Sequence, residues 1–253
     1  MANTLPFLAQ KFNGEIWRLE IDGDTETIFA EIRSSANKQV LFGSISLLTG
    51  QTYFVDKVMP EPWLTGIEAA NNGVLLLHGY ESSSSPVHKG VMAIDGKSGE
   101  TLWANYTYAF DHLAVNGPVL FNTQTQPKKL FIADIKTGAT VRPYNRAIDT
   151  ELMTDITYPE VLPTAHLNET AITLTPYGNS IHYLECDNLR IVSLHSLEKG
   201  NLQQHLFLLN ETGIVYEDIL ATGIQKLQPE AFIVHKNYLI YIKNKSELKA
   251  IKL

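Results

Sequence analysis

The eight histidines of the chain are the first candidates for metal or acid–base chemistry. No two have the H-x-x-x-H or H-E-x-x-H spacing that brings two imidazoles to one zinc ion. They are His78, His88, His112, His166, His182, His195, His205 and His235. Histidines scattered in this way are ordinarily embedded in strands or exposed at the surface. The sequence therefore predicts no cofactor and no metal site, although a repeat fold could still gather one histidine from each of several sheets around an ion.

Carboxylates and aromatic side chains near strand ends are the other candidates. Two carboxylates about 5–10 Å apart would permit glycosidase-like hydrolysis. The acidic residues near inter-strand loops are Glu61, Glu68, Glu81, Asp111 and Asp155.

Aromatic residues grouped on one face would make a contact surface for protein or carbohydrate, whereas dispersed ones would serve as packing. The aromatic residues near strand ends are Trp63, Tyr80, Tyr106, Tyr108, Tyr158 and Tyr177. No nucleophile elbow, phosphate-binding loop or dinucleotide fingerprint is present. The sequence identifies no catalytic residue and disfavours an enzyme.

The charge, apolar runs and cysteine content of the chain limit the classes of partner and the cellular compartments that we expect. The net charge is −7, which repels a phosphate backbone and argues against nucleic acid. No apolar run approaches the roughly 18 residues of a spanning helix, so membrane insertion is not expected. Cys186 is the single cysteine and cannot form an intramolecular disulfide. Residues 1–10 lack the basic region and apolar core of a signal peptide. We expect a cytoplasmic protein, or a secreted or periplasmic one if a leader has been removed.

Short apolar, β-branched and aromatic runs bounded by Gly, Asn, Asp, Ser and Pro recur along the whole chain, whereas helical periodicity is weak. In the run Glu15–Ile21, for example, strict alternation predicts that Trp17, Leu19 and Ile21 share one face of a strand. The serine run 82–85 predicts a flexible hairpin tip, with a mobile binding loop as the alternative. An all-β fold is therefore expected.

A hairpin with a glycine near the end of its turn occurs four times. The glycines are Gly50, Gly99, Gly138 and Gly213, each predicted to supply the positive φ that a short hairpin loop requires. Asp95 and Asp134, four residues before two of these glycines, are expected to accept backbone N–H bonds and cap the turn. The first two intervals between the glycines are 49 and 39 residues, which bracket the length of a propeller blade.

The stretch Ala93–Trp103 carries the clearest copy, with the form A-x-D-x-x-[ST]-G-x-x-x-W. This form resembles the blade repeat of the quinoprotein-like β-propeller superfamily, and the chain is also similar to bacterial propeller families of uncharacterised function. The resemblance implies that Trp103 packs between adjacent blades and that Phe54 is its counterpart one repeat earlier. It does not extend to the catalytic apparatus of quinoprotein dehydrogenases, which are longer and use an adjacent cysteine pair.

The sequence thus predicts one domain over residues 1–253, a β-propeller of five to six four-stranded antiparallel blades that is closed circularly by N- and C-terminal strands. The predicted function is a non-catalytic module that binds protein or carbohydrate. Two alternatives stay open at this point. One is a hydrolase or lyase with a polar site at the axial end of the propeller, and the other is small-ligand binding in the central channel.

Overall fold

The computed structural model describes residues 5–167 and 170–253. The strands of its first part are β1 (Leu8–Lys11), β2 (Glu15–Asp22), β3 (Thr27–Ser34), β4 (Gln39–Ser46), β5 (Thr52–Val58), β6 (Thr65–Asn71), β7 (Val74–Ser82), β8 (Ser85–Asp95), β9 (Thr101–Asn105), β10 (Tyr108–Ala114), β11 (Gly117–Asn122), β12 (Leu130–Ala133) and β13 (Thr140–Pro143). Those that follow are β14 (Ile156–Thr157), β15 (Glu160–Pro163), β16 (Ser180–Cys186), β17 (Leu189–Glu198), β18 (Asn201–Asn210), β19 (Gly213–Thr222), β20 (Phe232–His235), β21 (Tyr238–Lys243) and β22 (Glu247–Lys252). Among the described residues the only helical segment is a 3₁₀ turn, Thr164–His166.

The strands form five antiparallel sheets across the described residues. Three are four-stranded meanders, β2–β5, β6–β9 and β10–β13, and a fourth runs in order from β15 to β19. The fifth has the order β1-β22-β21-β20-β14, so that the N-terminal and C-terminal strands lie side by side. The predicted all-β fold of blade-like antiparallel sheets, with strands from both ends of the chain in one sheet, is confirmed with five sheets, two of which carry a fifth strand.

The chain divides into two compact units. Unit 1 consists of residues 1–11 and 155–253 and holds the last two sheets, and unit 2 is residues 12–154 and holds the first three. Since β1 belongs to unit 1, all of unit 2 lies between two pieces of unit 1 in the sequence. The single domain over residues 1–253 stays a prediction.

Continuous apolar runs mark strands whose two faces are both covered. In unit 2, Leu75 and Leu77 of β7 pack into one core cluster with Phe29 and Phe42, while Leu76 packs into another. In unit 1, alternate residues of β17 and β18 likewise enter two separate clusters. Because successive side chains of a strand point to opposite faces, a sheet packed on both sides needs apolar residues at every position rather than at every second one.

The glycine turns of unit 2 share one local geometry. Gly50, Gly99 and Gly138 have φ values of 71°, 69° and 70°. The carboxylate of Asp95 accepts from the backbone N–H groups of Lys97 and Ser98, and Asp134 accepts from Lys136 and Thr137 in the same way. Gly213 belongs to a different turn: it pairs with Asn210 across a two-residue loop and has a φ of 127°.

Aromatic side chains connect two of these turns to the sheet before them. The Trp103 indole N–H donates to the Ile135 carbonyl at 2.8 Å, and its ring covers Gly138 so closely that a Cβ there would lie 2.6 Å from ring carbon Cδ2. Phe54 covers Gly99 in the same manner, with 3.3 Å to the nearest ring carbon. Both glycines therefore supply positive φ and room for an aromatic ring from the neighbouring sheet.

We expect Gly138→Ala to destabilise unit 2 more than Gly73→Ala does. Both glycines have positive φ, so each alanine suffers backbone strain of about 1–2 kcal/mol. Only at Gly138 must an added Cβ also displace a ring, since the nearest atom to a Cβ at Gly73 is a Thr25 methyl at 3.8 Å. Urea unfolding followed by tryptophan fluorescence measures both variants. Equal losses of stability would show that the Trp103 contact contributes nothing.

The prediction that Trp17, Leu19 and Ile21 share one face of a strand is wrong for Trp17. The register of β2 against β3 slips between Ile16 and Arg18, which leaves Trp17 at a bulge with 68% of its surface exposed, while Ile21 is buried. A bulge adds one residue to one strand and reverses the alternation beyond it. Arg18 is thereby placed directly opposite Glu31.

Candidate metal site on the second sheet

Most of the candidate carboxylates do not come together. Glu61 accepts from the backbone N–H groups of Trp63 and Leu64, and Asp111 pairs with its neighbour His112 and with Lys128. Among the five, Glu68 is the one placed beside two histidines. Glu61 and Asp111 thus have backbone, histidine and lysine partners.

Three adjacent strands of unit 2 bring Glu68, His78 and His88 together. Glu68 is on β6, His78 on β7 and His88 on β8, and one potential ligand atom from each lies within 4.8 Å of the others. The His88 Nδ1 atom is 2.7 Å from Glu68 Oε1, and the His78 Nδ1 atom is 3.4 Å from the same oxygen. The two imidazole rings stack at 3.5 Å with an angle of 8° between their planes. A carboxylate oxygen thus faces two parallel imidazoles.

Irregular pairing on both sides of β7 produces this juxtaposition. On β6 the register slips between Ile67 and Ala69, so Glu68 is a bulge residue with no partner of its own on β7. On the other side the register slips between His78 and Gly79, and Gly90 in β8 adopts a φ of 78°. Bulges re-aim side chains and are frequent beside functional sites. Here they bring residues from both neighbouring strands to His78.

His78 is the buried member of the cluster. Only 3% of its surface is exposed, and neither ring nitrogen has a well-directed hydrogen-bond partner among the described residues. A buried imidazole in that condition loses the hydrogen bonds that water would give it. The His88 side chain, by contrast, is 38% exposed. The cluster therefore runs from the interior of the sheet to solvent, with its unsatisfied nitrogens at the inner end.

The charge balance favours an ionised Glu68. Burial opposes its ionisation, but contacts with His78 and His88 outweigh burial and lower the pKa of the Glu68 carboxyl. The nearby Glu20 shows the opposite outcome: burial raises its pKa, its pairing with Arg18 opposes the rise, and the negative charge of Glu68 adds to it. The site thus places a carboxylate beside two imidazole rings, a set of donors that suits a transition-metal cation.

Tyr80 is the aromatic candidate that joins the site. Its ring meets His78 edge-on at 4.7 Å and His88 edge-on at 5.3 Å between centroids. Tyr80 pairs directly with His88 across the hairpin whose tip is at Ser82 and Ser85. The other aromatic candidates lie elsewhere, and Tyr106 and Tyr158 are mostly exposed.

Four more histidines, His182, His195, His205 and His235, are buried in unit 1, and the first three have the following partners. His182 Nε2 is 3.0 Å from the Pro229 carbonyl oxygen, His195 Nε2 accepts from the Gln228 N–H, and His205 Nε2 is 2.8 Å from the Ser196 hydroxyl. These are structural contacts within the unit. In His78, by contrast, Nδ1 has the longer 3.4 Å contact with Glu68, and Nε2 has no hydrogen-bond partner in the described part of the chain.

Comparison with known proteins adds a family match over part of the chain. A family model described as a domain of unknown function (DUF4905) matches residues 21–103, the stretch that contains Glu68, His78, His88 and Trp103. No curated protein matches the chain. None of the described helices is long and apolar enough to cross a membrane.

Solved structures match at low similarity. The BamB protein of Moraxella catarrhalis is 12% identical, with 93% of this chain and 84% of that one covered and a TM-score of 0.36. Raptor of Chaetomium thermophilum is 7% identical at a TM-score of 0.38, with 98% of this chain covered but only 28% of that protein. Hydrazine synthase of Kuenenia stuttgartiensis is 11% identical over 93% of this chain and 82% of that one, at a TM-score of 0.30. Similarities of this size carry no argument about function.

Proposed function

We propose that the protein is a non-catalytic binding module whose ligand is a divalent transition-metal ion held by Glu68, His78 and His88. The observation that carries this proposal is the buried His78, whose ring nitrogens lack well-directed partners although Glu68 and His88 lie beside it. Imidazole and carboxylate ligands suit Zn²⁺, Ni²⁺, Cu²⁺ and Fe²⁺, whereas Mg²⁺ and Ca²⁺ prefer sites made of oxygen alone.

The separations within the cluster are close to those around a bound ion. Zinc lies about 2.0–2.2 Å from nitrogen and carboxylate ligands, so two ligands of a tetrahedral site are about 3.3–3.6 Å apart. The contacts of Glu68 Oε1 with His78 and His88 are 3.4 and 2.7 Å. The His78 contact lies in this range, whereas the His88 contact is a hydrogen bond that the ion would replace. Because an imidazole nitrogen binds a metal in the plane of its own ring, the stacked rings would also turn out of their parallel arrangement when the ion binds. Three protein ligands leave a fourth position for water or a further ligand.

The binding interpretation is favoured over a hydrolase or lyase because Glu68 alone among the candidate carboxylates joins the cluster. The proposed scaffold is a quinoprotein-like propeller in which aromatic residues lock neighbouring blades. The contacts of Trp103 with Gly138 and of Phe54 with Gly99 support that scaffold. A protein or carbohydrate partner would then be a ligand additional to the metal.

Titration of the untagged, EDTA-treated protein with ZnCl₂ in a calorimeter tests the proposal. We expect one Zn²⁺ per chain. His88→Ala, which removes a half-exposed ligand, should weaken binding by more than about 100-fold, because even changes to residues outside the ligand set commonly cost 10–100-fold. His112→Ala is the matched control, since His112 pairs with Asp111 elsewhere in unit 2. Absence of binding, or equal binding by wild type and His88→Ala, would exclude the proposed site.

A further inference from the structure

The backbone of the Ile67–Glu68 bulge is held by two side chains from the neighbouring sheet. A Glu31 carboxylate oxygen accepts from the Ile67 N–H at 2.9 Å. The two terminal nitrogens of the Arg18 guanidinium donate to the Ile67 and Glu68 carbonyls, each at 2.8 Å. Three backbone groups of the bulge therefore have side-chain partners that come from β2 and β3.

Arg18 and Glu31 are arranged to act as a pair. They lie directly opposite each other on β2 and β3. Glu31 is 2% exposed and is held in turn by Arg33 at 2.7 Å, while one Arg18 nitrogen also pairs with Glu20. The planar guanidinium offers donors in a fixed fork, which is how one side chain can reach two successive carbonyls. A lysine ammonium has no such fork.

A bulge leaves a residue outside the regular ladder, so its orientation depends on contacts beyond the sheet. For Glu68 those contacts are the backbone bonds to Arg18 and Glu31. We propose that Arg18 and Glu31 are positioning residues that fix the Ile67–Glu68 bulge and thereby aim the Glu68 carboxylate at His78 and His88. The proposal deepens the metal-binding function and rests on it for its effect on affinity.

Charge repulsion and positioning of Glu68 predict opposite changes in Zn²⁺ affinity when Arg18 is replaced. As a cation close to the site, Arg18 repels a bound metal ion, so charge alone predicts that Arg18→Met strengthens Zn²⁺ binding. If Arg18 positions Glu68, the same change weakens binding by about 10–100-fold, the usual cost of losing a residue that orients a ligand. Arg18→Lys keeps the charge but loses the fork, and it should weaken binding as well.

The experiment measures Zn²⁺ affinity of wild type, Arg18→Met, Arg18→Lys and the exposed control Arg146→Met by calorimetry, with urea unfolding of each. Weaker binding in both Arg18 variants, with the control unchanged and all four folded, is the expected result. Unchanged or tighter binding by Arg18→Met overturns the proposal. Glu31→Gln, which keeps an oxygen that can accept from the Ile67 N–H, should lose less affinity than Glu31→Ala.

A second readout separates failure of this inference from failure of the metal function. The ring ¹⁵N signals of His78 and His88, recorded without metal, report the contact with Glu68. We expect them to shift in Arg18→Met and to stay in place in Arg146→Met. If wild type binds no Zn²⁺ but these signals shift, the metal function fails and the positioning role stands. If they do not shift, the positioning role is wrong whatever the metal result.

Discussion

Acidification from about pH 7.5 to about pH 5.5 should lower the free energy of unfolding by about 1–3 kcal/mol through the buried histidines of unit 1. His195 is 3% exposed, and its Nε2 atom accepts a hydrogen bond from the Gln228 N–H. A protonated imidazole has no acceptor left. Protonation therefore leaves a backbone donor without a partner, and the expected magnitude is the cost of one such buried group.

The direction follows from the pKa values of two histidines. Burial lowers the pKa of His195, and the charges of His182 and His205 lower it further. Burial also lowers the pKa of His205, although Glu198 and Glu217 partly oppose it. With folded-state pKa values below those of the unfolded chain, the unfolded state binds more protons as the pH falls. The neutral histidines make their full contribution to the free energy of unfolding at pH values above the ordinary histidine pKa. That contribution is lost as the pH falls through the pKa values of the folded state.

The segment most affected should be the connection that precedes β20. His182, His195 and Gln204 contact the backbone of Pro229, Gln228 and Glu230 respectively. Urea unfolding at both pH values, followed by far-UV circular dichroism, measures the global effect, and hydrogen exchange of the Gln228 amide measures the local one. His195→Gln, which keeps an acceptor that cannot be protonated in this range, should reduce the pH dependence. The exposed His166→Gln should not, and equal slopes in both variants would contradict the argument.

The antiparallel hairpins could be predicted because their signals are local. A glycine that needs positive φ, an aspartate that caps the turn and an aromatic residue four positions later recur within one hairpin, as at Asp95, Gly99 and Trp103. Turn chemistry of this kind depends on neighbouring residues alone. Gly213 also has the predicted positive φ in a short hairpin, but its loop is two residues long and it lacks both the aspartate and the aromatic residue of the clearest copy.

The histidine cluster could not be predicted, because it depends on bulges. The predicted hairpin at the serine run is consistent with the pairing of Tyr80 and His88, but it brings neither Glu68 nor His78 to His88. Bringing Glu68 to the same place requires the slip at Ile67–Ala69, and setting His78 beside His88 requires the slip at Gly90. Each one-residue slip moves the following side chains to the other face of a sheet. Gly90 is a residue type that favours a bulge within a strand, but the residue types at Ile67–Ala69 give no such signal.

Gly66→Ala should disrupt the proposed site without altering any of its ligands. A Cβ at Gly66 would lie 2.9 Å from both Cε1 and Nε2 of His78 and 3.1 Å from a Glu31 carboxylate oxygen. His78 has little room to retreat, since it is buried and stacks on His88 at 3.5 Å. We expect the variant to lose about 1–3 kcal/mol of stability, as is usual for overpacking, and to bind Zn²⁺ at least about 100-fold more weakly.

A double-mutant cycle identifies the clash as the cause. In a His78→Ala background the ring is absent, so Gly66→Ala should cost much less stability than it does in the wild type. Residues in direct contact commonly show coupling energies of about 0.5–3 kcal/mol, and a coupling in this range is the expected result from urea unfolding of the four proteins. A cost of Gly66→Ala that is the same in both backgrounds would mean that His78 does not rest on Gly66. The close approach of imidazole to backbone would then have no part in holding the cluster.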